Sequence, residues 1–287
     1  IGTIIFSIIA IVYFTVLNPQ AGTGNITQTE ISMVHTFFNI ATTVMLFPAS
    51  NLIVKIAKKI GRVDEDANDP GTVLLDERML QTPSIALQSV IKETVRMGEI
   101  VRRSIEVAKD VLYTQDQEAI DILKNDESDV DRLCAGITNY TIKLSSLQIS
   151  EKEHQEAAHL LQVLSDMERV SDYCENISEF AETLRDKKAS FSETAKKQLK
   201  EMIEETAKSY FYALDAFKEQ SHEKALRVIE KETKVDDLEV KLRSRHIKRL
   251  SNNECNTEAG IVFLDTLVCM ERISDHARNI AEEVLEE

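Results

Sequence analysis

The strongest constraint on this chain is an internal duplication. Residues 160–182 read LLQVLSDMERVSDYCENISEFAE and residues 262–284 read VFLDTLVCMERISDHARNIAEEV; aligned on Met167 and Met270, both give M-E-R-(V/I)-S-D-x-x-x-N-I-(S/A)-E. A second echo lies upstream. There ILKNDESDVDRL (122–133) matches RVIEKETKVDDL (227–238), pairing Glu127 with Glu232, Val130 with Val235, Asp131 with Asp236 and Leu133 with Leu238. The offsets of 105 and 103 residues mark two units of about 100 residues each.

From Ser84 onward there is no Pro, Gly is confined to Gly98, Gly136 and Gly260, and apolar residues recur at spacings of three and four. Proline removes a helix donor and clashes with the preceding turn, so a Pro-free stretch with this period reads as a bundle of long helices. Breaks in the period predict six, near 84–113, 116–147, 151–186, 191–219, 221–250 and 254–286, three to each repeat (about 84–187 and 188–287). Ser150 with Glu153 and Ser190 with Glu193 have the spacing of capping boxes.

The duplicated text carries chemistry. Each repeat holds Glu-x-x-x-Asp twice: Glu127/Asp131 and Glu168/Asp172 in the first, Glu232/Asp236 and Glu271/Asp275 in the second. A spacing of four places both carboxylates on one helix face. Glu168 follows Leu161 and Leu164 at seven and four residues, Glu271 follows Leu264 and Leu267, and Glu127 follows Ile120 and Leu123, so the acids continue apolar rows. Like charges four residues apart repel, and partial burial raises the cost. Two resolutions are open at this point. Either the acids hold a cation, of the Fe, Zn, Mn or Mg type that carboxylates in helix bundles bind, or they pair with Arg169, Arg272 and nearby lysines on a solvated face. Asn176 and Asn279 match between repeats and are expected to support the acids; His276 aligns with Tyr173 and reads as a surface or supporting group; Asp166 and Asp265 have no counterparts and read as solvated charges.

Residues 1–62 are of another kind. Ile1–Leu17 is uncharged and just long enough to approach a bilayer span, and a second apolar segment runs over about Met33–Ala57. The chain starts at Ile1, inside an apolar run, and is expected to be a C-terminal fragment; a secretory signal would need a basic start. Lys55, Lys58, Lys59 and Arg62 gather at the end of the second segment and just after it, while the loop before it has no Lys or Arg. By the positive-inside rule, the expectation is a multi-pass protein of the plasma (inner) membrane, with everything after about residue 60 in the cytoplasm. His35, Asn39 and Thr42 share one helical face, read either as helix-to-helix hydrogen bonding or as part of a transport path. Residues 63–83, with Pro70-Gly71 and an acidic cluster, read as a linker before a helical domain at 84–287.

The net charge of −15 excludes a nucleic-acid role, which needs clustered Lys and Arg. Four scattered cysteines, with no C-x-x-C, indicate neither disulfides nor a zinc finger. No P-loop, dinucleotide glycine pattern, nucleophile elbow or H-E-x-x-H is present, so the chain is not expected to be an enzyme.

MERISDHARNI, its partner MERVSDYCENI and the two upstream Glu-x-x-x-Asp motifs resemble the PhoU family. HTFFNIATTVMLFP (35–48) and LLDERMLQTPSIAL (74–87) resemble the last membrane helices and the connector of the bacterial Na/Pi cotransporter family. The resemblance implies an all-α chain, with two C-terminal transmembrane helices followed by a PhoU-like domain of two repeated three-helix bundles. It implies Glu127, Asp131, Glu168, Asp172, Glu232, Asp236, Glu271 and Asp275 as metal ligands. It further implies inorganic phosphate as substrate, sodium as coupling ion, the bilayer as surroundings and a homodimer. The Gln/Ser-rich re-entrant motifs of that family's transport core do not occur in this chain, so the fragment itself is not expected to transport.

Overall fold

The structure, a computed structural model, describes residues 36, 40, 69–252 and 255–286. Six helices follow a short 3-10 turn at Glu77–Gln81: α1 (Pro83–Thr114), α2 (Gln117–Ser145), α3 (Glu151–Asp186), α4 (Glu193–Glu219), α5 (His222–Ser251) and α6 (Thr257–Glu286). All six fall within a few residues of the expected spans.

Their ends follow from local chemistry. Pro83 opens α1, where its missing N–H costs nothing. Asp116, Ser150, Ser192 and Ser221 cap the next four helices through side-chain oxygens, and Ser150 with Glu153 closes a full capping box. The expected Ser190–Glu193 box does not form. Phe191 turns inward onto Phe263, edge-on at 6.4 Å, which delays the helix until Ser192 can cap it. The duplication reaches the turns as well: α1 and α4 both end on a glutamine in the left-handed region, Gln115 (φ 52°) and Gln220 (φ 51°), each backbone N–H reaching back to the last turn.

Helices α1–α3 pack on one another, α4–α6 repeat the arrangement, and the two bundles join along α3 on α6 and α1 on α4. The core runs through both, with Leu123, Leu133, Leu164 and Met167 in the first repeat and Tyr210, Phe263 and Leu267 in the second fully buried. Where α1 crosses α4, side chains of the core close over Gly98: the Tyr210 hydroxyl donates to the Gly98 carbonyl at 3.1 Å, and a Cβ on Gly98 would lie 2.5 Å from Leu214 Cδ1. A larger residue there would displace the Leu214 side chain.

Residues 69–82 are strapped to the first repeat. Arg96 donates to the Pro70 and Thr72 carbonyls at 2.6 Å, Tyr140 donates to the Asp76 carbonyl at 3.0 Å, and Val73 covers Gly136, where a Cβ would collide with it.

The expected location is corrected. Among the described residues no helix is long and apolar enough to cross a membrane, because charged residues recur along each of the six. Apart from Thr36 and Ile40, the apolar segments 1–17 and 33–57, on which the expectation of two transmembrane helices rested, lie outside the described residues.

Candidate metal centres

Helices α2 and α3 bring the first set of acids together, and α5 and α6 the second. Oxygens of Glu127, Asp131 and Asp172 lie within 4.8 Å of one another, and so do those of Glu232, Asp236 and Asp275. Repeat symmetry is preserved: the same three motif positions converge in each half. The fourth member, Glu168 or Glu271, stays beside the cluster, half-buried and leaning on the following arginine (Arg169–Glu168 3.6 Å, Arg272–Glu271 3.4 Å). The same arginines reach Asp172 at 3.2 Å and Asp275 at 3.5 Å. Pairing with arginine is thus partly realised, and three of the carboxylates in each set converge on one another. Arg169 and Arg272 alone do not match the number of carboxylates around them.

The electrostatics say so. Burial, then the charges of Asp131 and Glu175, push the Glu127 carboxyl up to about 7. Burial likewise raises Glu168 and Asp172, against the pull of Arg169. In the second site burial raises Asp236, Glu271 and Asp275, with Arg272 and Arg278 pulling the other way. Carboxylates held partly dehydrated and close together are the donor set hard and borderline cations take, and a half-buried edge leaves coordination positions open to solvent. The first set, Glu127, Asp131 and Asp172, offers carboxylate oxygens of the kind a divalent cation takes.

The second set differs in its surroundings. The 103-residue offset puts Arg278 where the first repeat has Glu175. Arg278 Nη1 donates to Glu232 Oε1 at 2.8 Å and its Nε to Glu282 at 2.7 Å. Glu239 stands where the first repeat has Cys134, and is itself paired with Arg243. Neither difference is visible from the motifs alone; each appears only when the alignment is continued one turn past them.

Other expectations change. Asp166 is buried, not solvated: it accepts from His276 Nδ1 at 2.7 Å, Asn279 Nδ2 at 3.0 Å and Gln162 Nε2 at 3.1 Å, tying α3 to α6. Asn279 therefore serves Asp166 and not the motif acids. His276, expected as a surface group or a support for the motif acids, instead serves Asp166 and stacks at 5.9 Å on Tyr173, its own repeat counterpart. The four cysteines are free, with Cys174 and Cys269 buried and Cys134 and Cys255 partly exposed. A third donor group, His159, Glu283 and Glu286, was not anticipated; His159 pairs directly with Glu283. His35, Asn39 and Thr42 lie outside the described residues.

With this geometry in hand, likeness to known proteins is informative. The PhoU domain family matches residues 94–181 and 199–284, one match per repeat. The chain is similar to the "Putative inorganic phosphate export protein YjbB" of Escherichia coli K12, 24% identical over 298 aligned residues that cover 100% of this chain and 54% of that protein. It is also similar to the "Phosphate-specific transport system accessory protein PhoU homolog" of Xylella fastidiosa 9a5c, 28% identical over 200 residues, covering 69% and 83%. The chain spans about half the length of the YjbB relatives it matches. Among solved structures, PhoU from Pseudomonas aeruginosa superposes with a TM-score of 0.66 at 21% identity, covering 70% of this chain and 96% of that one. The fold is shared. The accessory and export descriptions of these relatives name no enzyme, in keeping with the expectation for this chain.

Proposed function

The chain belongs to the PhoU domain family, and from that premise we propose that residues 69–286 are a metal-binding regulatory module of phosphate transport, carried on a longer phosphate-transport polypeptide. What carries the reading is the extent of the match: both repeats take the PhoU domain, and the similarity to a phosphate export protein continues over the residues before them.

The acidic charge shapes the mechanism. A body with a net charge of −15 repels phosphate, so direct recognition by its own side chains is disfavoured. A divalent cation at Glu127, Asp131 and Asp172 would supply local positive charge and an open position for an oxyanion. The residues of this chain then do the rest: α2 and α3 fix the carboxylates, and Arg169 adds a cationic donor beside them. Because α3 also packs on α6, a change in spacing at the first site is transmitted to the second bundle through the Asp166–His276–Asn279 contacts.

Cells carrying the full-length gene, or the same gene with Glu127→Gln, Asp131→Asn and Asp172→Asn together, provide the test. Phosphate influx and efflux are measured at high and low external phosphate, with and without sodium. The wild type should alter its flux with phosphate supply and the triple variant should not. Flux indifferent to gene deletion removes the reading, and flux indifferent to sodium removes the sodium-driven form of it. A second reading, an accessory protein acting on a separate transporter or sensor kinase, is favoured by the accessory PhoU homologues, which the chain covers over most of their length. It is distinguished by flux that requires a second gene.

A further inference from the structure

Of the two repeat-related acid sites, only the second contains a cation of its own on the acid that heads its motif. Glu232 is the most buried of the motif acids, and Arg278 Nη1 lies 2.8 Å from its Oε1. The same guanidinium is held from its other edge by Glu282, 2.7 Å from Nε, so it is clamped between two carboxylates instead of waving in solvent. Arginine is always protonated and its planar fork matches this geometry, so a positive charge stands beside Glu232 at any physiological pH.

The first site has no such group. Its counterpart residue is Glu175, which adds a negative charge to Glu127, Asp131, Glu168 and Asp172. The nearest lysine, Lys124, is engaged by Glu182 at 2.9 Å to both oxygens. Arg243, which balances Glu239 near the second site, is replaced by Thr138 at the matching position. Matching three-acid constellations therefore differ in the charges around them, with one more acid beside the first and one more arginine beside the second.

We propose that Arg278 is the resident cation of the second site, so that only the first site, Glu127, Asp131 and Asp172, takes a divalent metal at full strength. This rests on the metal reading above. To bind a metal, the second site must release Glu232 from Arg278 or accept the ion beside a fixed positive charge.

The test uses the 287-residue chain stripped with EDTA and dialysed against Mn²⁺, with bound metal counted by elemental analysis across a concentration series. The wild type should show one class of tight binding. Asp131→Asn with Asp172→Asn, and separately Glu175→Arg, should weaken it about 10- to 100-fold, the range for altered ligands and their supporting groups. Asp236→Asn with Asp275→Asn should leave it unchanged, and Arg278→Glu should add a second class. Tight metal in the wild type that is lost with Asp236 and Asp275, or no gain in Arg278→Glu, overturns the inference. Absence of metal from every variant overturns the metal reading itself, a different result. Thermal melts in EDTA address Arg278 directly: Arg278→Ala should lower Tm, and Glu232→Gln should abolish that loss. An Arg278→Ala melt identical to wild type shows that the arginine is not the site's cation, and the same melts verify that each variant folds.

Discussion

The two repeats close their first helix pair with buried ion contacts of opposite polarity. In the first, Arg103 Nε on α1 donates at 3.0 Å to Asp126 on α2, which is buried and also accepts from Ser104 at 3.0 Å. In the second, the acid has moved to the first helix: Glu205 on α4 accepts from Lys208 and Lys231 at 2.9 Å, with Lys234 at 3.1 Å. At the 105-residue offset, Lys231 stands where Asp126 does, Lys208 where Arg103 does, and Glu205 where the buried apolar Ile100 does. The scaffold tolerates this exchange because a buried charge needs a compensating partner, not a particular one. The acid sites teach the converse. There the motif acids are kept in register while a neighbouring charge changes sign, Glu175 against Arg278, so what the duplication preserved is the set of acids, and what diverged is part of the field around it.

The comparison is sharpened most by the shared core. Leu133 and Leu238 occupy matching positions, the first fully buried and the second 6% exposed. Leu133→Ala should cost about 2–5 kcal/mol in denaturant unfolding, and Leu238→Ala less, since a cavity at the edge collapses more readily. Equal losses would mean that the repeats are packed alike despite the difference in exposure.

The ion contacts come next. Asp126→Asn and Glu205→Gln should each cost about 1–3 kcal/mol, moderated because the cationic partners are partly exposed and relax into water. Glu205 also carries a pH dependence. Burial acts to raise the Glu205 carboxyl, but hydrogen bonds from Lys231, Lys208 and Lys234 outweigh it and hold it down to about 2, below its ordinary value of 4.5. A depressed carboxyl stabilises the fold above the unfolded value and loses that contribution as pH falls from about 4.5 toward 2. Acid titration of stability should therefore be shallower in Glu205→Gln than in wild type. A curve of unchanged slope would show that the lysines do not grip the charged form.

The smallest effect is the one with opposite signs in the two halves. In metal-free protein Glu127→Gln should stabilise by roughly a few tenths of a kcal/mol at pH 8, by removing one of several like charges. Its folded value near 7 exceeds 4.5, so the carboxyl favours the fold below 4.5 and loses that contribution as pH rises through 7; the gain from Gln should vanish at acid pH. Glu232→Gln should instead lower Tm, because it abandons Arg278. Shifts of the same sign would erase the contrast between the sites.

Much of this was legible in the text of the chain. Helix number and approximate bounds followed from the 3.6-residue period and the absence of Pro, which are local properties, and the Ser150 cap from one tetrapeptide. The Ser190 cap was misplaced because a local signal cannot register that Phe191 is claimed by Phe263 on another helix. Asp166 was misjudged for the same reason: its partners His276 and Asn279 lie 110 and 113 residues away.

The acid motifs show where the boundary falls. Their spacing and repetition are enough to place four carboxylates on matched helix faces in each half, since i, i+4 geometry is intrinsic to a helix. Which three of the four converge, which one turns to its neighbouring arginine, and that Arg278 reaches Glu232 across α6 and α5 depend on how helices distant in sequence are set against one another. The sequence by itself determined the elements and the chemistry they carry, because backbone period and side-chain type are local. Only tertiary packing decided the field in which that chemistry operates, because charge interactions are summed over neighbours that the chain order does not name.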